Sequence, residues 1–166
     1  MRPARAGRTT SGPMTRGRDG KGGTIMVTRL NPYLNFRDEA RQAIGFYRDV
    51  FGGEVTISTF ADFQASEDPA DADKVMHSQL ESPTGLVLMA ADTPSSMEVP
   101  TGAGFSISLS GEQSDDAELR GYWDKLSSSG SVTVPLEVAP WGDAFGMCVD
   151  GFGVSWLVNI AGAARA

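Results

Sequence analysis

His77 is the only histidine in the chain, and histidine is the residue type that most often transfers protons in catalysis. It lies in VMHSQLE (75 to 81), whose composition predicts a β-strand. Because side chains two residues apart share a strand face, Gln79 and Glu81 lie beside it. Such a face could supply a base, a hydrogen-bond donor or a single metal ligand. The alternative is a structural histidine bonded to a neighbouring strand or loop.

One histidine restricts the metal chemistry available to one chain. An iron site of two histidines and a carboxylate is excluded, and a zinc site with three protein ligands would need His77 and two acids. The acids near predicted strands are Glu81, Asp92, Glu137 and Asp143. All are predicted at strand ends or turns, where solvated acids are normal. We therefore predict no cofactor, with a divalent metal at His77 as the alternative.

Cys148 is the only cysteine, so no disulfide can form within the chain. This argues against a secreted, disulfide-stapled protein and favours a cytoplasmic location. The apolar sequence FGMCV (145 to 149) predicts a buried thiol that serves as a small hydrophobic side chain.

The elements that must position these residues form a pattern that occurs twice. A strand (31 to 36), a helix ended by Gly52-Gly53, a strand (54 to 60), an exposed loop (61 to 74) and two strands (75 to 81, 86 to 91) make the first copy. Asp38 and Ser114 are predicted to cap the two helices. The apolar helix positions correspond at a spacing of 76 residues: Ala43, Phe46, Tyr47 and Val50, then Leu119, Tyr122, Trp123 and Leu126.

The second copy continues with strands at 105 to 109, 132 to 134, 145 to 149 and 154 to 160. The predicted fold is therefore α+β, with two paired βαβββ modules at about 29–92 and 103–160. One module alone would leave a sheet face and a helix stripe unburied. Pairing two modules buries these surfaces and leaves a concave, cupped sheet, which is the default place for a ligand.

The net charge of −7 is unevenly distributed. Residues 1–25 carry six basic residues against Asp19 alone and lack hydrophobic periodicity, which predicts a disordered basic arm before a domain at 26–162 and a tail at 163–166. The arm is either an extension upstream of a start at Met26, a weak transit peptide, or a segment that contacts nucleic acid or an acidic partner. The acidic remainder argues against nucleic-acid binding by the domain, and no apolar run is long enough to span a membrane.

Several segments together resemble one family: PYLNFRDEARQAIGFYRDVFGGEV (32 to 55), VMHSQLE, LVLMAAD (86 to 92) and WGDAFGMCVDGFGVSWLVN (141 to 159). They resemble the PhnB-like group of the vicinal oxygen chelate superfamily, which includes glyoxalase I, bleomycin resistance proteins and extradiol dioxygenases. The resemblance implies the paired βαβββ (glyoxalase-like) fold with cupped mixed sheets, a homodimer, and a pocket in each cup.

The superfamily's metal enzymes carry His, Gln or Glu ligands on the first and last strands of each module. The matching strands here hold no His and no Glu. PhnB-like sequences are often labelled as demethylubiquinone methyltransferases, but a methyl-donor site normally needs a Gly-rich turn between a strand and a helix. Gly102-Ala103-Gly104 precedes a predicted strand instead.

The resemblance and the cup predict a set of ligand-binding residues. Asn35 and Asn159 lie on strands that correspond to ligand-bearing strands, and three aromatic residues suit a planar or apolar ligand. The set is Tyr33, Asn35, His77, Gln79, Trp141, Trp156 and Asn159. The leading hypothesis is a metal-independent protein that binds an unknown small molecule. The alternatives are a lyase, isomerase or dioxygenase with a degenerate metal site at His77, and an interaction module with an empty pocket.

Overall fold

Two β-sheets, each backed by one long helix, make up the computed structural model, which describes residues 28–100 and 104–163. The predicted arm and most of the tail lie outside these residues. The first half contains β1 (Tyr33–Phe36), α1 (Ala40–Phe51), β2 (Glu54–Thr59), β3 (Val75–Glu81) and β4 (Val87–Asp92). The second half contains β5 (Ile107–Gly111), α2 (Asp116–Ser128), β6 (Ser131–Val138), β7 (Ala144–Val149) and β8 (Ser155–Ile160).

The two halves have the same topology. The sheets have the orders β1-β4-β3-β2 and β5-β8-β7-β6, and in each the first strand pairs parallel with the fourth. The remaining pairs are antiparallel. The predicted pair of βαβββ modules with mixed sheets is confirmed. The open sheet edges are not joined into a closed barrel.

The helix α1 is capped from a distant strand. The Ala40 N–H donates to Asp92 Oδ1 (2.9 Å), and the other carboxylate oxygen accepts the Val75 N–H (2.9 Å). The predicted cap, Asp38, pairs with Lys74 instead. Asp92 is also buried and not solvated at a strand end, so both predictions were wrong. A carboxylate there satisfies a helix N-terminus and a strand end at once.

The second helix is preceded by a short 3₁₀ turn, Gln113–Asp115, and the capping interaction is formed at the start of this turn. Glu112 and Asp115 form a reciprocal capping box, in which each side chain accepts the other's backbone N–H. The predicted cap, Ser114, was therefore two residues too late.

One hydrophobic core extends through both modules and joins them. At its centre lies Asp150, which is 3% exposed. Its Oδ2 accepts from the Tyr47 hydroxyl of α1 (2.7 Å) and from Trp156 Nε1 of β8 (2.8 Å). Its Oδ1 accepts from the backbone N–H groups of Phe152 and Val154. The carboxylate thus connects the first module's helix to the second module's sheet through hydrogen bonds.

The acidic segment 61 to 74 is mostly exposed, as predicted, but it is anchored near its end. It contains two 3₁₀ turns, Ala61–Phe63 and Pro69–Asp71. The buried Asp71 accepts hydrogen bonds from the Ser95 hydroxyl and backbone N–H and pairs with Lys74. The Ser95 hydroxyl, then Lys74, lower the pKa of Asp71 to about 2. This carboxylate holds the segment against the connection between the modules.

The strand β6 is longer than the strand predicted at 132 to 134, and it is irregular. Two register shifts interrupt its pairing with β7, and its side chains are exposed or half-buried along its whole length. Because it is an edge strand with such irregularities, its valines Val132, Val134 and Val138 are exposed, whereas Leu136 packs against the core. Among the described residues, no helix is long and apolar enough to cross a membrane.

Candidate functional site

Each sheet has one face toward the helices and one face turned away from them. The face turned away is called the cup face. On the first sheet, strand alternation and register place Tyr33 beside Met89 and Asn35 beside Ala91, while Gln79 lies opposite both Thr56 and Met89. Side chains of the opposite parity, such as Leu80, Leu88 and Ala90, are buried against α1. The cup face therefore combines polar side chains with the apolar Met89 and Ala91.

His77 and Tyr33 are in contact across this cup face. The Tyr33 hydroxyl lies 3.3 Å from His77 Nδ1, and the rings are tilted with centroids 5.8 Å apart. A neutral imidazole that carries its proton on Nε2 accepts this hydrogen bond. Partial burial raises the pKa of Tyr33, which keeps the phenol protonated as a donor. The pair is a hydrogen-bonding unit that is still half open to solvent.

Gln79 and Asn35 extend the polar surface around that pair. The Gln79 amide donates to Glu81, the next residue on the same face of β3. Asn35 lies on β1 two residues after Tyr33 and is exposed. The structure therefore brings four predicted residues, Tyr33, Asn35, His77 and Gln79, onto one face.

The cup face of the second sheet holds Asn159, and Trp141 lies at its margin. Phe145 pairs with Asn159 in the β7–β8 register, and the exposed Trp141 packs edge-on against Phe145, with centroids 5.7 Å apart. The Asn159 amide donates to Asp143, which also accepts the Gly162 N–H. These two contacts lower the pKa of Asp143. Part of the Asn159 amide is thus used to hold the Asp143 turn.

Trp156 lies on the opposite face of its strand, so its assignment to the cup was wrong. It is 1% exposed and packs against Tyr47 and Phe51 of α1. Its parity on β8 matches that of Val158 and Ile160, both buried against the helices. The ring belongs to the core that joins the modules.

A cleft of about 300 Å³ lies between the two modules beside the Tyr33–His77 pair. Tyr33 and Asn35 of β1 form one wall, and Ser155, at the start of β8, forms part of the other. We call this the intermodule cleft. It is lined by Tyr33, Leu34, Asn35, Phe36, Pro100, Phe105, Phe152, Gly153, Val154 and Ser155.

The sequence prediction missed the cleft residues of the second module. Phe105 was placed in a strand, but β5 begins at Ile107 and Phe105 is 64% exposed. Ser155 was missed because Trp156 was assigned to the cup, and strand alternation then places its neighbour on the opposite face. Phe152 belongs to a turn, for which the sequence contains no periodic signal.

The side chains present do not fit the metal site that the resemblance implies. The first and last strands of each module place Tyr33, Asn35, Met89, Ser108 and Asn159 on the cup faces, where a His or Glu ligand would be needed. Within residues 28–100 and 104–163, no three His, Cys, Asp or Glu side chains converge to hold an ion.

Cys148 lies on the helix-facing side of β7 and is buried. Burial, assisted by the nearby Asp150 carboxylate, raises the pKa of its thiol to about 11. A thiol held protonated in this way is a poor nucleophile. The predicted structural role of Cys148 agrees with this position.

Known proteins are similar to this chain in sequence and in fold. A family model described as 3-demethylubiquinone-9 3-methyltransferase matches residues 28–159. The chain belongs to this family, the PhnB-like group of the vicinal oxygen chelate superfamily. The predicted resemblance is thereby confirmed.

Individual relatives agree with this assignment. Protein YjdN of Escherichia coli K12 is 25% identical over 79% of this chain and 94% of its own. The crystal structure of PA1353 from Pseudomonas aeruginosa is 35% identical, covers 81% of this chain and 98% of its own, and has a TM-score of 0.66. A glyoxalase/bleomycin resistance/dioxygenase domain from Frankia sp. EAN1pec, 13% identical over 84% of this chain and 96% of its own, shares the fold with a TM-score of 0.56.

Proposed function

We propose that this PhnB-like protein binds a small molecule without a metal, at the first module's cup face and the adjoining intermodule cleft. The observation that carries the proposal is the Tyr33–His77 contact, with Asn35 and Gln79 beside it. A few convergent polar groups among apolar and aromatic side chains are typical of ligand sites. The cleft's volume, about 300 Å³, suits a compact ligand.

Methyl transfer is not part of the proposal, despite the family's description. A site for a nucleotide-like methyl donor normally begins with a Gly-rich turn from a strand into a helix. The connection from β1 to α1 is Arg37-Asp38-Glu39, and β5 leads through a single glycine, Gly111, into Glu112 and the 3₁₀ turn. Neither connection presents such a turn.

The second candidate function is a superfamily lyase, isomerase or dioxygenase that uses His77. One observation favours it: an imidazole in contact with a phenol is an arrangement suited to proton transfer. A turnover assay on the wild type and on His77→Ala separates the two functions, because only an enzyme shows turnover that disappears with the imidazole.

We expect the variant His77→Ala to lose at least about tenfold in ligand affinity, since it removes a hydrogen-bonding group from a partly desolvated site. The measurement is a thermal-melt screen of small molecules on the full-length protein, followed by titration of the hits. Gln42→Ala, on the exposed side of α1, is the matched control and should bind normally.

Metals are tested in the same melts. Zinc, nickel, manganese and iron(II) should leave the melting temperature nearly unchanged, and the purified protein should contain little metal. Near-stoichiometric metal, or a rise of several degrees, would contradict metal independence, because a ligand that favours the native state must stabilise it. Turnover abolished by His77→Ala would establish the enzyme instead.

A homodimer in the cytoplasm is the expected setting. The edge strand β6 supports the dimer, since it exposes Val132, Val134 and Val138, the last at 74%.

The buried reduced thiol of Cys148 supports the cytoplasmic location, which cell fractionation can test. The described residues hold twenty acidic and seven basic side chains, which opposes nucleic-acid binding by this part of the chain.

Replacing Val138 with aspartate should raise the dimer dissociation constant by tenfold or more, because a charge would have to be desolvated at the interface. Sedimentation velocity over a concentration series measures it. Phe63→Asp, which charges an exposed apolar site away from β6, should leave the constant unchanged. Equal effects of the two substitutions, or a wild-type monomer at all concentrations, would refute this placement of the dimer.

A further inference from the structure

We infer that the intermodule cleft selects an organic cation that carries an apolar or aromatic group and discriminates against anions. The inference rests on the proposed function, since it names the ligand class of that same site.

The cleft is built from aromatic rings and uncharged polar groups. Tyr33 and Phe105, which are 45% and 64% exposed overall, line the cleft, and Phe152 supplies a third ring. Phe152 packs against the rings of Phe36, which also lines the cleft, and of Phe46. Aromatic faces attract a cation electrostatically, and the attraction grows as the cation loses water. Rings arranged around a cleft therefore form a suitable binding site for an ammonium group.

The described lining of the cleft contains no charged side chain. The nearest arginine in sequence, Arg37, donates its guanidinium Nη1 to the carbonyl oxygens of Pro94 and Met97 (3.2 and 2.9 Å). Lys74 is engaged by the carboxylates of Asp38 and Asp71. A phosphonate or carboxylate ligand would lose its hydration without gaining the cationic partner that such anions require.

The surrounding charge acts in the same direction. Seven basic and twenty acidic side chains among the described residues leave a net charge of −13 with His77 neutral. A field of this sign concentrates cations near a cleft and repels anions, and it weakens with added salt. The lining of the cleft and the charge of the described residues therefore favour the same class of ligand.

The test compares three probes of similar shape on the full-length protein: benzyltrimethylammonium, benzyl alcohol and benzylphosphonate. Each is titrated while the NMR signals of the Tyr33 ring and the His77 imidazole are followed. At low ionic strength the cation should bind at least about tenfold more tightly than the phosphonate, and the ratio should fall as salt is added.

The variant Phe105→Leu keeps an apolar side chain and removes the ring. It should weaken benzyltrimethylammonium by about fivefold and change benzyl alcohol by less than about twofold, since only the cation uses the ring's quadrupole. Phe63→Leu is the matched control, because Phe63 is equally exposed, at 63%, and lies outside the cleft. It should change neither affinity.

The outcomes separate the inference from the function on which it rests. Phosphonate or alcohol binding at Tyr33 and His77 as tight as the cation's would overturn the cation preference and leave a small-molecule site in place. Equal loss of cation and alcohol in Phe105→Leu would also overturn it, as simple apolar burial. If no probe and no screened compound perturbs Tyr33 or His77, both the inference and the proposed function fail.

Discussion

Replacing Asp150 with asparagine should lower the free energy of unfolding by about 4 kcal/mol. Each carboxylate oxygen accepts two hydrogen bonds: one oxygen from Tyr47 and Trp156, the other from the N–H groups of Phe152 and Val154. An asparagine amide has only one oxygen. Whichever way it is turned, its NH₂ group faces two donors, fully or partly buried, which then lose their partner.

Chemical denaturation monitored by tryptophan fluorescence measures this effect. Tyr47→Phe removes one donor from the same cluster without reversing any dipole, so it should cost only about 1.5 kcal/mol. Burial and, after it, the Asp150 carboxylate raise the pKa of the Tyr47 phenol, so the lost partner is a protonated donor at any ordinary pH. If Asp150→Asn were no worse than Tyr47→Phe, the four-donor arrangement would not be the connection between the modules.

Replacing Asp92 with alanine should cost about 2.5 kcal/mol, while alanine at Asp38 should cost less than about 0.5 kcal/mol. Asp92 is buried and satisfies the N–H groups of Ala40 and Val75. Its loss removes the helix cap and leaves a buried strand donor without a partner. Asp38 is mostly exposed and takes part in an ion pair with Lys74.

The two variants form a direct comparison between a helix cap provided by local sequence and one provided by a distant strand. Their unfolding free energies are measured under identical conditions, with circular dichroism at 222 nm reporting helix content. A larger loss for Asp38→Ala than for Asp92→Ala would show that the local aspartate caps α1 and would contradict the observed geometry.

The sequence by itself determined the modules and their order. The apolar spacing in α1 and α2 and the alternation in β3 and β8 are local signals, because a helix or strand buries one face whatever its partner. The internal repeat was predicted from Ala43, Tyr47 and Val50 and their counterparts 76 residues later. All six of these helix residues are buried. The family resemblance followed from the same segments.

Only the tertiary structure decided which groups meet. Tyr33 and His77 are 44 residues apart, and no periodicity in either strand shows that β1 and β3 flank the same strand, β4. The cap of α1 comes from a residue 52 positions later, and Asp150 meets Tyr47 across 103 positions. A carboxylate that looks solvated at a strand end in the sequence becomes a buried acceptor once distant donors surround it.

Trp156 is a single residue whose position the sequence pattern could not decide. A tryptophan in an alternating strand fits a ligand cup and a core equally well, since both bury an aromatic ring. Its face was decided by the packing of α1 against the second module, where Tyr47 and Phe51 occupy the space beside the indole. Local pattern determines the elements of this protein, whereas the contacts between its two modules determine the site, because those contacts join residues that are far apart in the chain.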